Sequence, residues 1–243
     1  MKINEIYKGD CLELMPKFVE SKSIDMIFCD LPYETTKCKW DIVIPFEKLW
    51  SEYERIIKDN GVILLFGNEP FSSVLRTSNL KLYRYDWIWE KTKATGFQNS
   101  KIQPMRKYEN LSVFYKHKPT YNPQGIIKKK IGKTNVRTGS NIKNEHSFNT
   151  YNGKKPVAEF TNYPTNIVKF KNASGKGHLH PTMKPLSLIE YMIKTYTNEG
   201  DLILDNTCGS GTTGLGAKNL KRDYIMMEQD PEYYEIACKR VLT

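Results

Sequence analysis

The feature that most constrains the fold is a strand, a glycine loop and a helix close to the C-terminus. Residues 201–205 form a short apolar run, and the loop after them carries Gly209, Gly211 and Gly214 before a helical pattern. A second apolar run ends at Glu228, 19 residues after Gly209. Glycines permit a tight turn and a close approach of the backbone to a ligand, and an acid at the second strand end can accept hydrogen bonds from both ribose hydroxyls. We therefore predict a β-α-β unit that binds a nucleoside-containing cofactor.

The remainder of the chain alternates short apolar runs with helical patterns. The runs are mostly β-branched or aromatic and are bounded by Gly, Asp, Asn or Pro, which is typical of buried strands. Seven strands are predicted, at residues 3–7, 25–30, 62–66, 86–90, 112–115, 203–205 and 225–228. Helices are predicted at residues 46–58, 185–196, 212–220 and 231–242. This alternation predicts an α/β fold, a doubly wound and mostly parallel Rossmann-like sheet with helices on both faces.

The net charge of +10 is distributed very unevenly. Residues 91–180 contain 18 Lys and Arg but three Glu, a net +15, whereas the rest contains 19 basic and 24 acidic residues, a net −5. The densest run is Lys128, Lys129 and Lys130. A solvated insertion is one interpretation, but an asymmetry over so long a block favours a surface that binds a polyanion. We therefore predict one domain, built from residues 1–116 and 179–243, that is interrupted by a recognition insertion at 117–178.

Several other classes of protein are disfavoured. The chain has no run of 18 apolar residues and no apolar core near its start, so membrane spanning and secretion are not expected and a cytoplasmic protein is. His178 and His180 lack further ligands at useful spacing, so no metal site is predicted. The cysteines contain no C-x-x-C pair, which argues against a disulfide framework or a zinc ribbon; they are Cys11, Cys29, Cys38, Cys208 and Cys238.

A candidate catalytic site follows the second predicted strand. Asp30-Leu31-Pro32-Tyr33 stands where open parallel sheets bind ligands, although an ordinary strand exit has a similar composition. To methylate the exocyclic amine of a nucleobase, an enzyme must localise a lone pair that is delocalised into the ring. A carboxylate and a backbone carbonyl that accept the two amine hydrogens achieve this, and Asp30 with the Leu31 or Pro32 carbonyl would suit. Tyr33 would suit stacking on a base that has swung out of a duplex.

The cofactor loop is compatible with two kinds of nucleoside. A dinucleotide places its pyrophosphate at the helix N-terminus, where Asp205 would repel it. S-adenosylmethionine has no phosphate, and its cationic methionyl end suits a nearby carboxylate. The position of the loop near the C-terminus, with little chain left for a substrate domain, also favours S-adenosylmethionine.

Taken together and in order, these segments resemble the DNA amino-methyltransferases that modify N6 of adenine or N4 of cytosine. The match is to the permuted group in which the catalytic motif precedes the cofactor motif. It covers residues 1–116 and 178–243, and the matching segments are residues 6–12, 30–33, 39–41, 87–91, 180–185 (His-Pro-Thr-Met-Lys-Pro), 205–213 (Asp-Asn-Thr-Cys-Gly-Ser-Gly-Thr-Thr) and 224–233. The family's seven-stranded sheet agrees with the seven strands predicted above.

The resemblance implies roles for individual residues. Asp30, Pro32 and Tyr33 match the catalytic motif, Asp10 matches a contact to the cofactor's adenine, and Lys184 lies where a loop reaches the methionine end. Together the residues expected to bind S-adenosylmethionine are Asp10, Cys11, Asp30, Lys184, Asp205, Asn206, Cys208, Gly209, Gly211, Thr212, Thr213, Glu228 and Gln229. Leu31 and Glu34 replace a common Pro and Gly, and Asn206 and Thr207 replace a common Pro and Phe, so an aromatic contact to the cofactor is missing.

The sequence therefore predicts a site-specific methyltransferase that flips a base out of double-stranded DNA, with a homodimer as a possible assembly. An Asp at the head of the catalytic motif favours adenine N6, and cytosine N4 is the alternative. An inactive DNA-binding module, a nicotinamide-dependent oxidoreductase and an RNA or protein methylase are the other candidates. The predicted DNA contacts are Lys101, Arg106, Lys107, Lys128, Lys129 and Lys130. Tyr108 and Asn110 are candidates for the base pocket, although a structural role is favoured for both.

Overall fold

The computed structural model describes residues 2–34, 42–129, 159–173 and 183–242. The strands are β1 (Glu5–Lys8), β2 (Ile24–Cys29), β3 (Ile57–Gly67), β4 (Tyr83–Thr95), β5 (Arg106–Phe114), β6 (Ile127–Lys128), β7 (Phe160–Thr161), β8 (Ile167–Phe170), β9 (Leu202–Asp205) and β10 (Asp223–Glu228). The helices are α1 (Cys11–Phe18), α2 (Phe46–Ile56), α3 (Phe71–Ser78), α4 (Leu186–Tyr196), α5 (Thr212–Asn219) and α6 (Pro231–Val241). All seven predicted strands and all four predicted helices are present, and α1 and α3 are additional.

Eight of the strands form one sheet, in the order β1-β10-β9-β2-β3-β5-β4-β8. β1, β10, β9, β2 and β3 pair in parallel, while β5 is antiparallel to both of its neighbours. The chain leaves β2 in one direction across the sheet, towards β3, and leaves β9 in the other, towards β10. The adjacent ends of β2 and β9 are therefore a topological switch point, which is where open α/β sheets bind ligands.

Two apolar cores enclose the sheet, one on each face. Along β2, Met26 and Phe28 belong to the core under α4, α5 and α6, whereas Ile27 and Cys29 belong to the core under α1, α2 and α3. A strand that is buried on both faces needs a continuous apolar run, which explains why this segment lacks polar alternation. Each fully buried large aliphatic side chain stabilises the fold by about 1.5–3 kcal/mol. The predicted fold, a Rossmann-like α/β sheet with helices on both faces, is confirmed.

One strand of the sheet comes from the segment that we predicted to be an insertion. β8 pairs in parallel with β4 at the sheet edge, so the sheet has eight strands and not seven. Along β8 exposed and half-buried side chains alternate, and no side chain is fully buried. Ile167 is exposed although it is apolar, so the apolar and polar residues do not alternate as the two faces of the strand do. A four-residue edge strand of this kind leaves little signal in the sequence.

Contacts divide the chain into two compact units. The first contains Met1–Asn122 and Thr165–Thr243, and the second is Pro123–Pro164. In the second unit, β6 and β7 form a two-stranded antiparallel sheet, and the Lys129 N–H donates to the Glu159 carbonyl at 2.9 Å. The proposed insertion at 117–178 extends beyond this unit at both ends. In the described part of the chain, no helix is long and apolar enough to cross a membrane.

Candidate functional site

The carboxyl ends of the parallel strands surround a cavity of about 650 Å³. Asp10 lies just after β1, Asp30 after β2 and Asn68 after β3, while Asp205 and Glu228 are the last residues of β9 and β10. All five line the cavity. The parallel topology therefore brings together residues that are up to 218 positions apart in the sequence. Most of the sequence-predicted cofactor residues meet here, since 12 of the 13, all except Gly211, line this cavity.

The glycine loop is held in place by the acid that follows it. Glu228 accepts hydrogen bonds from the Gly209 N–H and the Asp230 N–H, both at 2.8 Å. Gly211 is the N-cap of α5 with φ +77°, a left-handed conformation that favours glycine. Glu228 thus fixes the loop while its carboxylate still has lone pairs for a ribose, since each oxygen can accept more than one hydrogen bond.

Asp205 lies deeper, at the switch point. Its carboxylate accepts the Thr207 N–H at 3.1 Å, and burial raises the pKa of this carboxyl from 3.8 to about 7. Thr207 also donates from Oγ1 to the backbone carbonyl of Asp30 at 3.2 Å. The loop after β9 and the turn after β2 are therefore linked directly, and Thr207, which the sequence did not assign to the site, provides that link.

Asn206 takes a structural role in the position where proline is common. Its Oδ1 accepts hydrogen bonds from the Tyr53 hydroxyl at 2.6 Å and the Cys29 thiol at 2.8 Å. Burial raises the pKa of Cys11 to about 11, and it raises that of Cys29 well above its ordinary value. Both thiols therefore stay protonated near neutral pH, which makes them poor nucleophiles.

The lining of this half of the cavity fits S-adenosylmethionine better than a dinucleotide. Asp10, Asp205 and Glu228 place three carboxyl groups around it. Such a set suits ribose hydroxyls and a cationic amino-acid tail, but it repels a pyrophosphate. Asp10 is also the N-cap of α1, where its Oδ1 accepts the Leu12 N–H at 2.8 Å.

The other half of the cavity contains the predicted catalytic turn. The two oxygens of the Asp30 carboxylate accept hydrogen bonds from the Tyr33 hydroxyl and the Lys184 ammonium, respectively. The Tyr33 ring packs against Phe71, with centroids 4.6 Å apart. Burial raises the pKa of Asp30, and the Lys184 ammonium opposes that rise. Lys184 thus contacts the catalytic carboxylate directly.

Two charged residues that the sequence did not assign to the site complete a buried network. Glu109 on β5 lies 2.5 Å from the Lys91 ammonium and 3.4 Å from that of Lys184, and all three side chains are buried. Its neighbours Tyr108, which is exposed, and Asn110, which is buried, do not line the cavity, so the base-pocket hypothesis for them is not supported. One signal was available: Glu109 is one of three acids in a block with 18 basic residues.

The predicted DNA contacts lie in different parts of the chain. Lys101 is exposed between β4 and β5, Arg106 lines the cavity at the start of β5, and Lys107 pairs with Glu90 at 3.2 Å. In the second unit, Lys128 and Lys129 are exposed, and Lys128 lies 3.5 Å from Glu159. Lys130 lies outside the described residues, as do His178 and His180. Among the residues that are described, no cluster of His, Cys, Asp and Glu has the arrangement of a metal site.

Comparison with known proteins identifies relatives over almost the whole chain. A family model for DNA methylases of the N6 and N4 type matches residues 24–239. The type II methyltransferase M2.MboI of Moraxella bovis is 30% identical over 97% of this chain and 86% of its own length. M.HpaI of Haemophilus parainfluenzae, also a type II methyltransferase, is 29% identical over 93% of this chain and 70% of its own length.

Solved structures show the same fold. The M1.HpyAVI–SAM complex superposes with a TM-score of 0.68 at 24% identity and covers 98% of this chain and 99% of its own. The cytosine-N4-specific PvuII DNA methyltransferase superposes with a TM-score of 0.69 at 17% identity, covering 98% of this chain and 86% of its own.

Proposed function

The chain belongs to the family of N6-adenine and N4-cytosine DNA methylases, and on that premise we propose that it methylates N6 of adenine at a specific site in double-stranded DNA. As a member of this family it is a DNA methyltransferase whose methyl donor is S-adenosylmethionine. The named relatives are type II methyltransferases, so we place the chain in a restriction-modification system.

The observation that carries this proposal is the position of Asp30. Its carboxylate lies at the topological switch point and lines the same cavity as the glycine loop and Glu228. The cavity therefore has an acidic half that suits the cofactor and, beside it, a carboxylate that suits an exocyclic amine. Thr207, which bonds to the Asp30 carbonyl, connects the two halves.

We assign the cofactor half to residues from four segments of the chain. Asp10 and Cys11 follow β1, and Gln229 follows Glu228 at the end of β10. Lys184, just before α4, reaches the cofactor from the catalytic half, where it is bonded to Asp30. The proposed cofactor contacts on the loop after β9 are Asp205, Asn206, Cys208, Gly209, Thr212 and Thr213. Gly211 contributes through the turn that it allows. S-adenosylmethionine supplies an electrophilic methyl group, so the protein needs no covalent intermediate.

The protein's task is to make the amine nucleophilic. Asp30 accepts a hydrogen bond from one amine N–H, and a carbonyl of the Leu31–Pro32 turn accepts the other, so the lone pair is localised on nitrogen. The nitrogen forms the new N–C bond while the methyl–sulfur bond breaks and leaves its electron pair on sulfur. One amine proton then passes to the Asp30 carboxylate and on to solvent. Pro32 fixes the turn and has no competing N–H.

The target base must leave the duplex to enter such a cavity. We therefore include base flipping in the proposal, with Tyr33 as the stacking surface. Arg106, which lines the cavity, is proposed to contact phosphates or base edges, as are Lys101 and Lys107 from the same part of the chain. In this proposal Lys128, Lys129 and Lys130, from the basic block at residues 91–180, add further phosphate contacts.

Adenine and cytosine present similar exocyclic amines, and cytosine N4 is the alternative product. Asp at the first position of the catalytic motif supports adenine. Sequencing of the modified bases in DNA from cells that express this chain gives the base, the atom and the site together. N4-methylcytosine in that DNA would replace adenine in the proposal, and unmodified DNA would favour an inactive DNA-binding module.

Substitution of the carboxylate tests the mechanism. Asp30→Ala is expected to abolish methyl transfer from labelled S-adenosylmethionine, because the amine loses its acceptor, while calorimetry still detects cofactor binding. Asp25→Ala is the matched control: Asp25 lies on β2, the strand that leads to Asp30, and pairs with Lys58 at 2.7 Å, away from the cavity. Unimpaired turnover by Asp30→Ala would refute the role assigned to this residue.

A further inference from the structure

Four charged groups form a continuous row across the catalytic half of the cavity, and Lys91, Glu109 and Lys184 are buried while Asp30 is half-buried. Lys184 bridges Asp30 and Glu109, and Glu109 in turn contacts Lys91. Two carboxylates and two ammonium groups leave the row with no net charge. Buried ions are costly unless each is paired, so the loss of one member would leave another uncompensated.

Both oxygens of Asp30 are already in use in this row. Tyr33 donates to one and Lys184 donates to the other. A carboxylate oxygen can accept a second hydrogen bond, but Asp30 Oδ2 would have to share its lone pairs between Lys184 and an incoming amine. Tyr33 belongs to the turn that positions Asp30, so Lys184 is the donor that can move and leave Oδ2 to the amine. An ammonium that left Asp30 without a new partner would be buried and unpaired, which costs several kcal/mol.

Glu109 has a carboxylate oxygen close enough to accept a hydrogen bond from the Lys184 ammonium. Among the described residues, Glu109 Oε2 is buried and has no hydrogen bond, although the Lys184 ammonium is 3.4 Å away. Its other oxygen, Oε1, is bound to Lys91 at 2.5 Å, which fixes the carboxylate. The Lys184 ammonium also lies 4.9 Å from the centroid of the Phe66 ring, a contact that favours a cation. A small movement of Lys184 would complete its bond to Glu109.

We propose that Glu109 is a positioning residue for methyl transfer, and that it receives Lys184 from Asp30 when the target base enters the cavity. The exchange frees one oxygen of Asp30 for the amine and keeps every buried charge paired. This inference rests on the proposed role of Asp30 and adds a residue from a distant strand to it. Lys91 supports the exchange by holding Glu109 in place.

The charges around Asp30 set the sign of its pH dependence. Burial raises the pKa of Asp30, Lys184 and the Tyr33 hydroxyl oppose that rise, and the Glu109 carboxylate adds to it. Asp205, on the neighbouring strand, is a further carboxyl group that interacts with Asp30. Replacement of Glu109 by a neutral residue therefore lowers the pKa of Asp30, both by loss of a negative charge and because Lys184 stays on Asp30.

Glu109→Gln tests the inference in single-turnover assays. The substrate is a duplex that carries the site found by sequencing, at saturating S-adenosylmethionine and across a range of pH. We expect the transfer rate to fall at least about tenfold, since one preorganised polar group is commonly worth about 10²–10³ in rate. The acid limb of the rate profile should also move to lower pH. Calorimetry should give an unchanged affinity for S-adenosylmethionine.

Asp86→Asn is the matched control. Asp86 lies on β4, next to β5, and pairs with Arg76 at 2.8 Å and with the Ser112 hydroxyl at 2.7 Å, outside the cavity. Its loss should lower stability without moving the acid limb. A wild-type rate in Glu109→Gln, or a reduced rate with an unmoved acid limb, overturns the inference. Failure of the proposed function differs from both, because the wild-type protein itself would then transfer no methyl group to DNA.

Discussion

Gly211→Ala places a methyl group at a crowded point of the cofactor loop, where α6 packs against the start of α5. A Cβ at this position would lie 2.9 Å from Val241 Cγ2 and 3.2 Å from Ala237 Cβ, both on α6. Alanine would also have to keep φ +77°, which costs a non-glycine residue about 1–2 kcal/mol. Overpacking of a close-packed site adds about 1–3 kcal/mol. The expected loss in the free energy of unfolding is therefore about 2–5 kcal/mol.

Gly200→Ala separates the two contributions. Gly200 has φ +82°, nearly the same backbone conformation, but a Cβ added there would meet no described atom within 4 Å beyond its chain neighbours. It should lose about 1–2 kcal/mol from the backbone alone. Both variants gain equally from the stiffer unfolded chain, so that gain cancels in the comparison.

Urea unfolding of the wild type, Gly211→Ala and Gly200→Ala, with and without S-adenosylmethionine, measures the differences in their free energies of unfolding. Gly211→Ala should be less stable than Gly200→Ala by about 1–3 kcal/mol, and it alone should gain less stability from the cofactor because α6 and the loop have moved apart. Equal stabilities would refute the crowding at Gly211. An equal gain from the cofactor in both variants would show that the loop tolerates the displacement.

Two further predictions concern charge. Because burial raises the pKa of Asp205 from 3.8 to about 7, the folded state holds a proton that the unfolded state releases, and the free energy of unfolding should fall as pH rises through this range. The protonated Asp205 contributes on the order of 4 kcal/mol to the stability of the wild type and nothing in Asp205→Asn. Urea unfolding at several pH values should therefore show a difference in stability between the two proteins that changes with pH. A difference that stays constant would contradict the prediction. Replacement of Lys128, Lys129 and Lys130 by Ala should weaken DNA binding. The slope of log binding constant against log salt concentration should become shallower by about 0.9 for each lost phosphate contact. Lys17→Ala, at an exposed position, is the control. An unchanged slope would remove these lysines from the interface.

The sequence predicted those parts of the site that depend on one segment at a time. Asp30 and Glu228 were found because each ends an apolar run, and strand ends in a parallel sheet share one edge. The glycine loop was found because its residues have a local conformational reason to be glycine. The eighth strand was missed because β8 is short and lies at an edge, where burial leaves only a weak pattern.

The buried network was missed for a different physical reason. Glu109 lies 75 residues from Lys184 and 18 from Lys91, and no local rule connects such positions. Their meeting depends on the register of β4 against β5, in which Trp89 pairs with Glu109, and on the start of α4 reaching the same edge. Sequence patterns predict that a strand is buried, but they do not give this register to within one residue.

The same register explains why Glu109, and neither of its neighbours, enters the cavity. Successive side chains of a strand point to opposite faces, so a shift by one residue would bring Tyr108 or Asn110 to the site instead. A carboxylate at this position can pair with Lys91 and Lys184 at the same time, and it can do so whether or not Lys184 is also bonded to Asp30. Neither an amide nor a phenol carries the negative charge that this requires. The charge at Glu109, and not its hydrogen-bonding capacity alone, is therefore what the row requires, and Gln at this position removes that charge while it keeps the shape.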